Sequence, residues 1–400
     1  MLLTTIGEAF EINPQVRIPK GTEVPFVSMD QVVPGQRNVS AAEKRLFKGG
    51  SKFEHGDTLM ARITPCLENK KIAQYLPPNH ASPSAGSTEF IVIRGKNGVS
   101  ITPFAYYFVQ SPDIHELAIS LMTGTSGRQR VDTEAFRMSE IWLPNLTTQE
   151  KIVTVLGSLD DKIAVNNKII KLALKLAKLL PQCVQQEQQK YKLSEISNLI
   201  SRGITPKYVE DGFTVLNQKC IRNNLVDLNQ ARQASNLPKN HERILQQYDV
   251  LVNSTGYGTL GRISPWLHET AQLKTVITDT HITTIRFDDQ KVDPAFAAMV
   301  LSTQENAVAN LAEGSTGQTE LKRELIENFE IMLPPFAIQH EVSQQIRPLL
   351  LAVMTLRNEN QTLARTRDEL LPLLMSGKIT VRDAEEASAE VGVDKHEVEE

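Results

Sequence analysis

The sequence predicts an α+β protein: two similar α/β domains joined by a pair of long antiparallel coiled-coil helices, with pseudo-twofold symmetry. Three observations predict it. The phrase LPNLTTQEKI at residues 143–152 returns as LPPFAIQHEV at 333–342, 190 residues later. The halves around these phrases align at about the same offset. Each copy then runs into a heptad-spaced apolar stripe. Short periods mean solenoids, whereas two copies at so long a period mean duplicated domains.

The first domain spans residues 1–145 and the second 189–335. LLTTIGEAF opens the first and KLSEISNLI the second, with Leu3 over Leu193 and Ile6 over Ile196. VPFVSMDQV (24–32) faces FTVLNQKCI (213–221), both alternating as strands do. GDTLMARITP (56–65) faces YDVLVNSTGY (248–257), which sets Asp57 over Asp249. TGTSGRQR (123–130) faces EGSTGQTE (313–320), which sets Gly124 over Gly314 and Gly127 over Gly317.

Two helical spacers follow, at 146–188 and 336–380. In the first, Ile152, Leu156, Leu159, Ile163, Asn166, Ile170, Ala173, Ala177 and Leu180 keep a strict 4,3 spacing. In the second, Val342, Ile346, Leu349, Val353, Leu356, Asn360, Leu363, Arg367, Leu370 and Leu374 do the same. A sustained 3.5-residue repeat is a coiled-coil seam. Gly157-Ser158 and Pro348 predict a short helix and then a long one, roughly 40–45 Å at 1.5 Å per residue. Helix one enters the second domain and helix two leaves it, so the pair runs antiparallel. That register sets Ile152 near Leu374 and Asn166 against Asn360, a polar pair that would fix the register; the alternative is that each Asn touches solvent. A rod of this length suits two DNA half-sites about 34–36 Å apart.

Composition sets the class. At 40% apolar and 22% charged, the 400 residues read as a soluble globular chain. Cys66, Cys183 and Cys220 are odd in number and dispersed, which fits a reducing cytoplasm and argues against a disulfide or zinc framework. Nothing reads as a signal peptide or membrane span. The net charge of −4 is uneven: residues 381–400 carry two basic and eight acidic side chains, leaving +2 elsewhere. That segment reads as a disordered acidic tail. Global charge therefore neither supports nor excludes nucleic acid.

Each catalytic pattern in the sequence has a simpler reading. Gly256-Tyr-Gly-Thr-Leu-Gly261 matches GxGxxG, but Pro265 interrupts the helix a dinucleotide site needs, so a glycine-rich loop is preferred. Asp57 with Glu68 and Lys70 resembles a metal-dependent nuclease spacing, yet the second copy carries Thr259-Leu-Gly-Arg262 there. The methyltransferase amine motif, Walker A and G-x-S-x-G are missing, and the chain is read as non-catalytic and metal-free.

Polar loops at matching places remain. They hold Arg62, Asn69, Lys70, Lys71, Ser126, Arg128 and Arg130 in the first copy, and Ser254, Tyr257, Thr259, Arg262, Ser315, Thr316 and Gln318 in the second. Arg, Asn, Gln and Lys can read base edges, while Ser, Thr and glycine N–H groups hold phosphates. One such loop alone would read as solvated surface; recurrence favours binding.

ARITPCLENKKIA (61–73), TGTSGRQRV (123–131), LPNLTTQEKIVTVLGSLDDKIAVNNKI (143–169), DVLVNSTGYGTLGRI (249–263), GSTGQTEL (314–321) and LLPLLMSGKITV (370–381) resemble the specificity subunit of type I restriction–modification systems, across about residues 1–380. The resemblance implies two target-recognition domains, each reading half of a bipartite double-stranded DNA sequence. It implies that the helices set the spacer and dock two methyltransferase subunits, with a motor-nuclease subunit joining for cleavage. S-adenosylmethionine, ATP and Mg are then expected on those partners and no cofactor on this chain. LENKK in one copy against TLGR in the other predicts an asymmetric target. The rival is a coiled-coil protein-binding adaptor without a DNA role.

Overall fold

The computed structural model describes residues 1–77, 83–125, 127–237, 241–256, 258–268, 275–312 and 319–393. It divides into two units, Met1–Asn167 with Asn358–Glu400, and Lys168–Arg357. Each unit thus holds one half of each long helix. The sequence reading set the helices apart as separate spacers. They do not separate because their apolar faces complete the domain cores.

In the first unit the central sheet runs Phe10–Ile12, Phe90–Gly95, Thr58–Ala61, Ile72–Tyr75 and Asn38–Val39. Strand alternation explains its burial on both faces. Met60, Ile72, Ile91 and Ile93 face helix Thr102–Gln110, whose residues Phe104–Val109 are all buried in the same core. Leu59, Ala73, Tyr75 and Val92 point the other way, onto a second sheet of Glu43–Leu46, Glu23–Val27, Ser84–Gly86 and Ser51–Phe53. Gly86 is required there: a Cβ would lie 2.7 Å from the Val27 carbonyl oxygen.

The second unit repeats this plan. Its central sheet runs Ser197–Arg202, Ile282–Phe287, Val250–Asn253 and Ile263–Pro265, and its second sheet runs Tyr208–Val209, Arg232–Ala234, Phe213–Leu216 and Val276–Thr278. Phe213–Leu216 pairs parallel with Val276–Thr278, as Glu23–Val27 does with Ser84–Gly86. Val250 and Val252 face helix Pro294–Ser302, while Leu251 faces the second sheet.

The repeated Leu-Pro phrase has a structural reason. The buried Gln149 carboxamide accepts from the Ile101 N–H (3.0 Å) and donates to the Val99 and Pro144 carbonyls (3.0 and 2.9 Å). Gln339 accepts from the Asp293 N–H (3.0 Å) and donates to the Pro334 carbonyl (2.8 Å). Ile101 and Asp293 are the N-caps of the two core helices. In each unit this glutamine ties the start of a long helix to the domain's main helix.

The long helices are Leu146–Leu179 and Phe336–Ser376, each unbroken, which corrects the expected interruptions at Gly157-Ser158 and Pro348. Gly157 makes room for a neighbour: its carbonyl accepts from Arg37 Nη1 at 3.5 Å. Pro348 removes one backbone hydrogen bond, at a cost of about 3 kcal/mol. Ile346, Leu350 and Val353, buried on either side of it, hold the helix in place.

Within the first unit, Ile152, Leu156, Leu159 and Ile163 share a core with Leu363, Leu370 and Leu374. Asn166 is 3% exposed. Its amide donates to Asn360 Oδ1 at 2.9 Å and to Glu359 Oε2 at 2.8 Å. Asn360 in turn donates to Asn167 Oδ1 at 3.1 Å. Within the second unit, Ile170, Ala173 and Ala177 share a core with Ile346 and Val353, with Leu356 partly buried against it.

The acidic end is not wholly a disordered tail. Val381–Glu390 is a helix capped by Thr380 and Asp383, and it buries Ala384 and Ser388 against the first unit, as does Val393 beyond it. Small buried residues at helical spacing were hidden by the acidic composition. Residues 394–400 lie outside the described part. Among the described residues, no helix is long and apolar enough to cross a membrane.

Candidate nucleic-acid interface

Each unit holds its own buried Asp–Arg ion pair at a matching place. Asp57 is fully buried, and its carboxylate takes Arg94 Nε and Nη2 at 2.7 Å each and the Glu54 N–H at 2.8 Å. Asp249 takes Arg286 Nε at 2.8 Å, Nη2 at 2.6 Å and the Gln246 N–H at 2.8 Å. Burial holds the Asp249 carboxyl above the usual carboxylate range, opposed by the Arg286 hydrogen bonds. These pairs brace the sheets. They also remove the nuclease spacing from consideration, because both Asp57 oxygens are occupied by Arg94 and Glu68 is exposed on a turn elsewhere.

In the first unit, two of the sequence-matched loops are sewn together. The Val131 N–H donates to the Arg62 carbonyl (2.8 Å), the Thr64 N–H to the Gln129 carbonyl (3.1 Å), and the Gln129 N–H to Thr64 Oγ1 (3.1 Å). Arg62 and Arg130 therefore converge on Glu89. Arg130 Nη2 reaches Glu89 Oε1 at 2.7 Å and Arg62 Nε reaches Oε2 at 3.6 Å. The Arg130 hydrogen bonds hold the Glu89 carboxyl below its ordinary range. Arg128, two residues away, is exposed, and among the described residues it has no ion-pair partner. Arg62 also lines a cavity of about 330 Å³ with Asn13, Ser51, Lys52 and Thr88.

Asn69, Lys70 and Lys71 are not part of that group. Asn69 and Lys70 line a separate cavity of about 450 Å³ with Glu68, Tyr106, Gln110 and Arg367. Lys71 Nζ donates to the Met29 carbonyl at 2.8 Å and braces the fold.

The second unit departs further from the sequence reading. Ser254 is fully buried, its hydroxyl 2.6 Å from Thr283 Oγ1, so it presents nothing to a ligand. Arg262 donates to the Ile221 and Gly258 carbonyls (3.2 and 2.9 Å), and Thr259 Oγ1 to the Gly256 carbonyl (3.3 Å). Both stabilise the loop. Gly256, Gly258 and Gly261 take φ of +106°, +72° and +79°, so the GxGxxG match is a left-handed turn series and not a helix start. Ser126, Tyr257, Ser315, Thr316 and Gln318 lie outside the described residues.

Sequence reasoning missed one polar network. Arg367 Nη1 meets Asp160 Oδ1 at 2.6 Å, Tyr107 donates to Asp160 Oδ2 at 2.7 Å, and Arg37 Nη1 donates to the Tyr107 hydroxyl at 3.1 Å. Burial and the Asp160 charge push the Tyr107 hydroxyl well above its ordinary range, so it stays a donor. The one available signal was Arg367 at a seam position otherwise apolar or Asn.

Residues 68–174 and 185–364 match the family described as "Type I restriction modification DNA specificity domain". The type I restriction enzyme EcoAI specificity subunit of Escherichia coli is 30% identical over 168 residues, 40% of this chain and 28% of that protein. The EcoEI specificity subunit of Escherichia coli is 26% identical over 254 residues, 62% of this chain and 36% of that protein. The match thus spans about a third of the length of these curated relatives. The crystal structure of a type I restriction–modification S subunit from M. genitalium superposes with a TM-score of 0.54 at 16% identity, covering 93% of this chain and 95% of that one, a likeness of fold. The two matched segments make up well over half of the sequence, and the chain belongs to the type I restriction–modification DNA-specificity family.

Proposed function

We propose that this chain is the sequence-specific DNA-recognition subunit of a type I restriction–modification complex. Each unit reads one half of a bipartite, asymmetric target. The paired helices set the gap and dock methyltransferase subunits, and a motor-nuclease subunit completes the complex. The chain itself is non-catalytic, with S-adenosylmethionine, ATP and Mg held by its partners.

The observation that carries this reading is duplication with divergence. Both units keep the same two sheets, the same buried Asp–Arg pair and the same glutamine tie. Their loops differ: Arg62 and Arg130 meet at Glu89 in one, while Arg262 is held by carbonyls in the other. Conserved frames with different loops suit two different half-sites.

Docking has its own support. On the first long helix Ile169, Leu172, Leu176 and Leu179 are 43%, 66%, 47% and 40% exposed. They keep a 3,4,3 spacing on a face other than the seam, which fits a further helix from a partner. The adaptor reading would use that stripe too. The discriminating experiment is to express the chain with its methyltransferase subunit and map methylated bases genome-wide. A split motif with a fixed gap is expected; a stable complex with an active methyltransferase that gives no motif would favour the adaptor.

A further inference from the structure

We propose that the outer sheet edge of the first unit is a DNA-phosphate-binding surface built from Lys20, Lys44 and Lys48. The inference deepens the DNA-recognition reading and rests on it. Nothing in the matched loops includes these residues, and they precede the family match, which begins at residue 68.

Two chain segments bring them together. Glu43–Leu46 is the edge strand of the second sheet, and all four of its residues are exposed. The Gly21 N–H donates to the Phe47 carbonyl (3.0 Å) and the Phe47 N–H to the Thr22 carbonyl (2.8 Å), which places Lys20 beside Lys48. Phe47 is buried in a small core with Val16, Ile18 and Val24, so Lys48 is turned to the opposite, exposed side with Lys44. Arg45 lies on the opposite face of that strand, 4.3 Å over the Phe26 ring and paired with Glu43.

Charge sets the partner. Residues 14–53 carry seven Lys and Arg against three Asp and Glu; without Arg37, which the network at Tyr107 holds, the segment is still +3 in a chain of net charge −4. Among the described residues, Lys20, Lys44 and Lys48 have no ion-pair partner. Through Gly50, Ser51 and Lys52 the strip runs into the cavity lined by Arg62. A track of flexible point charges leading to an arginine-bearing loop suits a polyanion whose backbone is held first and whose bases are met next. Lysines on an edge strand also block strand-to-strand aggregation. That explanation covers Lys44 but leaves Lys20 and Lys48 without a reason to meet. The second unit repeats one feature, with Arg232 lying 5.0 Å over Tyr208 in its own outer sheet.

The test compares the full chain in complex with its methyltransferase subunit against Lys20→Gln/Lys44→Gln/Lys48→Gln. Equilibrium DNA binding is measured from 50 to 300 mM salt on a duplex carrying the mapped motif and on a scrambled one. Each phosphate contact contributes about 0.9 to the slope of log K against log salt, so the triple variant should lose about two to three units of slope. Affinity should fall on both duplexes alike, with the methylated motif and the melting temperature unchanged. An unchanged slope beside a steep wild-type slope overturns this surface alone. A changed motif makes the residues base readers, and loss of the methyltransferase subunit makes them a protein interface; either also overturns it. If the wild-type complex has no motif preference, the DNA-recognition reading itself fails.

Discussion

Asp57 and Asp249 are charged groups with almost no access to water, each neutralised by a two-pronged arginine. Removing one partner of such a pair leaves a buried charge, so Asp249→Ala should destabilise the chain by about 3–5 kcal/mol in a denaturant titration. Replacing both partners with well-packed apolar residues should cost much less. The histidine at 268 gives a pH signature. Burial pushes its imidazole from 6.5 down to about 4. The neutral ring's contribution is therefore complete above pH 6.5 and is lost as pH falls from there towards 4, because the unfolded chain takes the proton first. Melting at pH 5 should lie below that at pH 7.5, and His268→Gln should narrow the difference. Thiol labelling offers a third check. Cys220 is buried and its thiol pushed up to about 11, whereas Cys183 is exposed, so maleimide should label Cys183 at once and Cys220 only on unfolding. A Cys220 labelled in the native chain would contradict the packing described for the second unit.

At the scale of elements, heptad spacing and the Leu-Pro phrase were legible because both rest on local repetition. Asn166 facing Asn360 followed from counting residues along two antiparallel helices. The loop residues were less legible, since sequence reports that a side chain is polar but not whether the fold has already engaged it. Ser254 and Lys71 illustrate this: each is of the right type for a phosphate or base, and each is committed to Thr283 or Met29. Pro348 failed as a helix breaker because flanking burial outweighed one lost hydrogen bond. The segment Val381–Glu390 was misread because its buried positions are Ala and Ser, which carry little hydropathic signal. Truncation after Ile379 should therefore expose apolar surface of the first unit and cost about 2–4 kcal/mol, at roughly 0.8 kcal/mol per buried methylene. A truncated chain as stable as the full one would show that the helix contributes nothing.

At the scale of the whole molecule, the proposed reading gives one half-site to each duplicated unit, and the two tasks should be separable. Arg128 is the exposed arginine of the first unit's paired loops, unlike Arg130, which is held by Glu89. If it meets a base, Arg128→Ala should relax one position of one half-site by about 1–3 kcal/mol and leave the other half and the gap untouched. The most direct measurement is a methylation map of the Arg128→Ala complex beside that of the wild type. The account predicts a wild-type split motif in which the variant tolerates new bases at one position of a single half. A contiguous wild-type motif, or a variant that disturbs both halves together, would contradict two independently reading units.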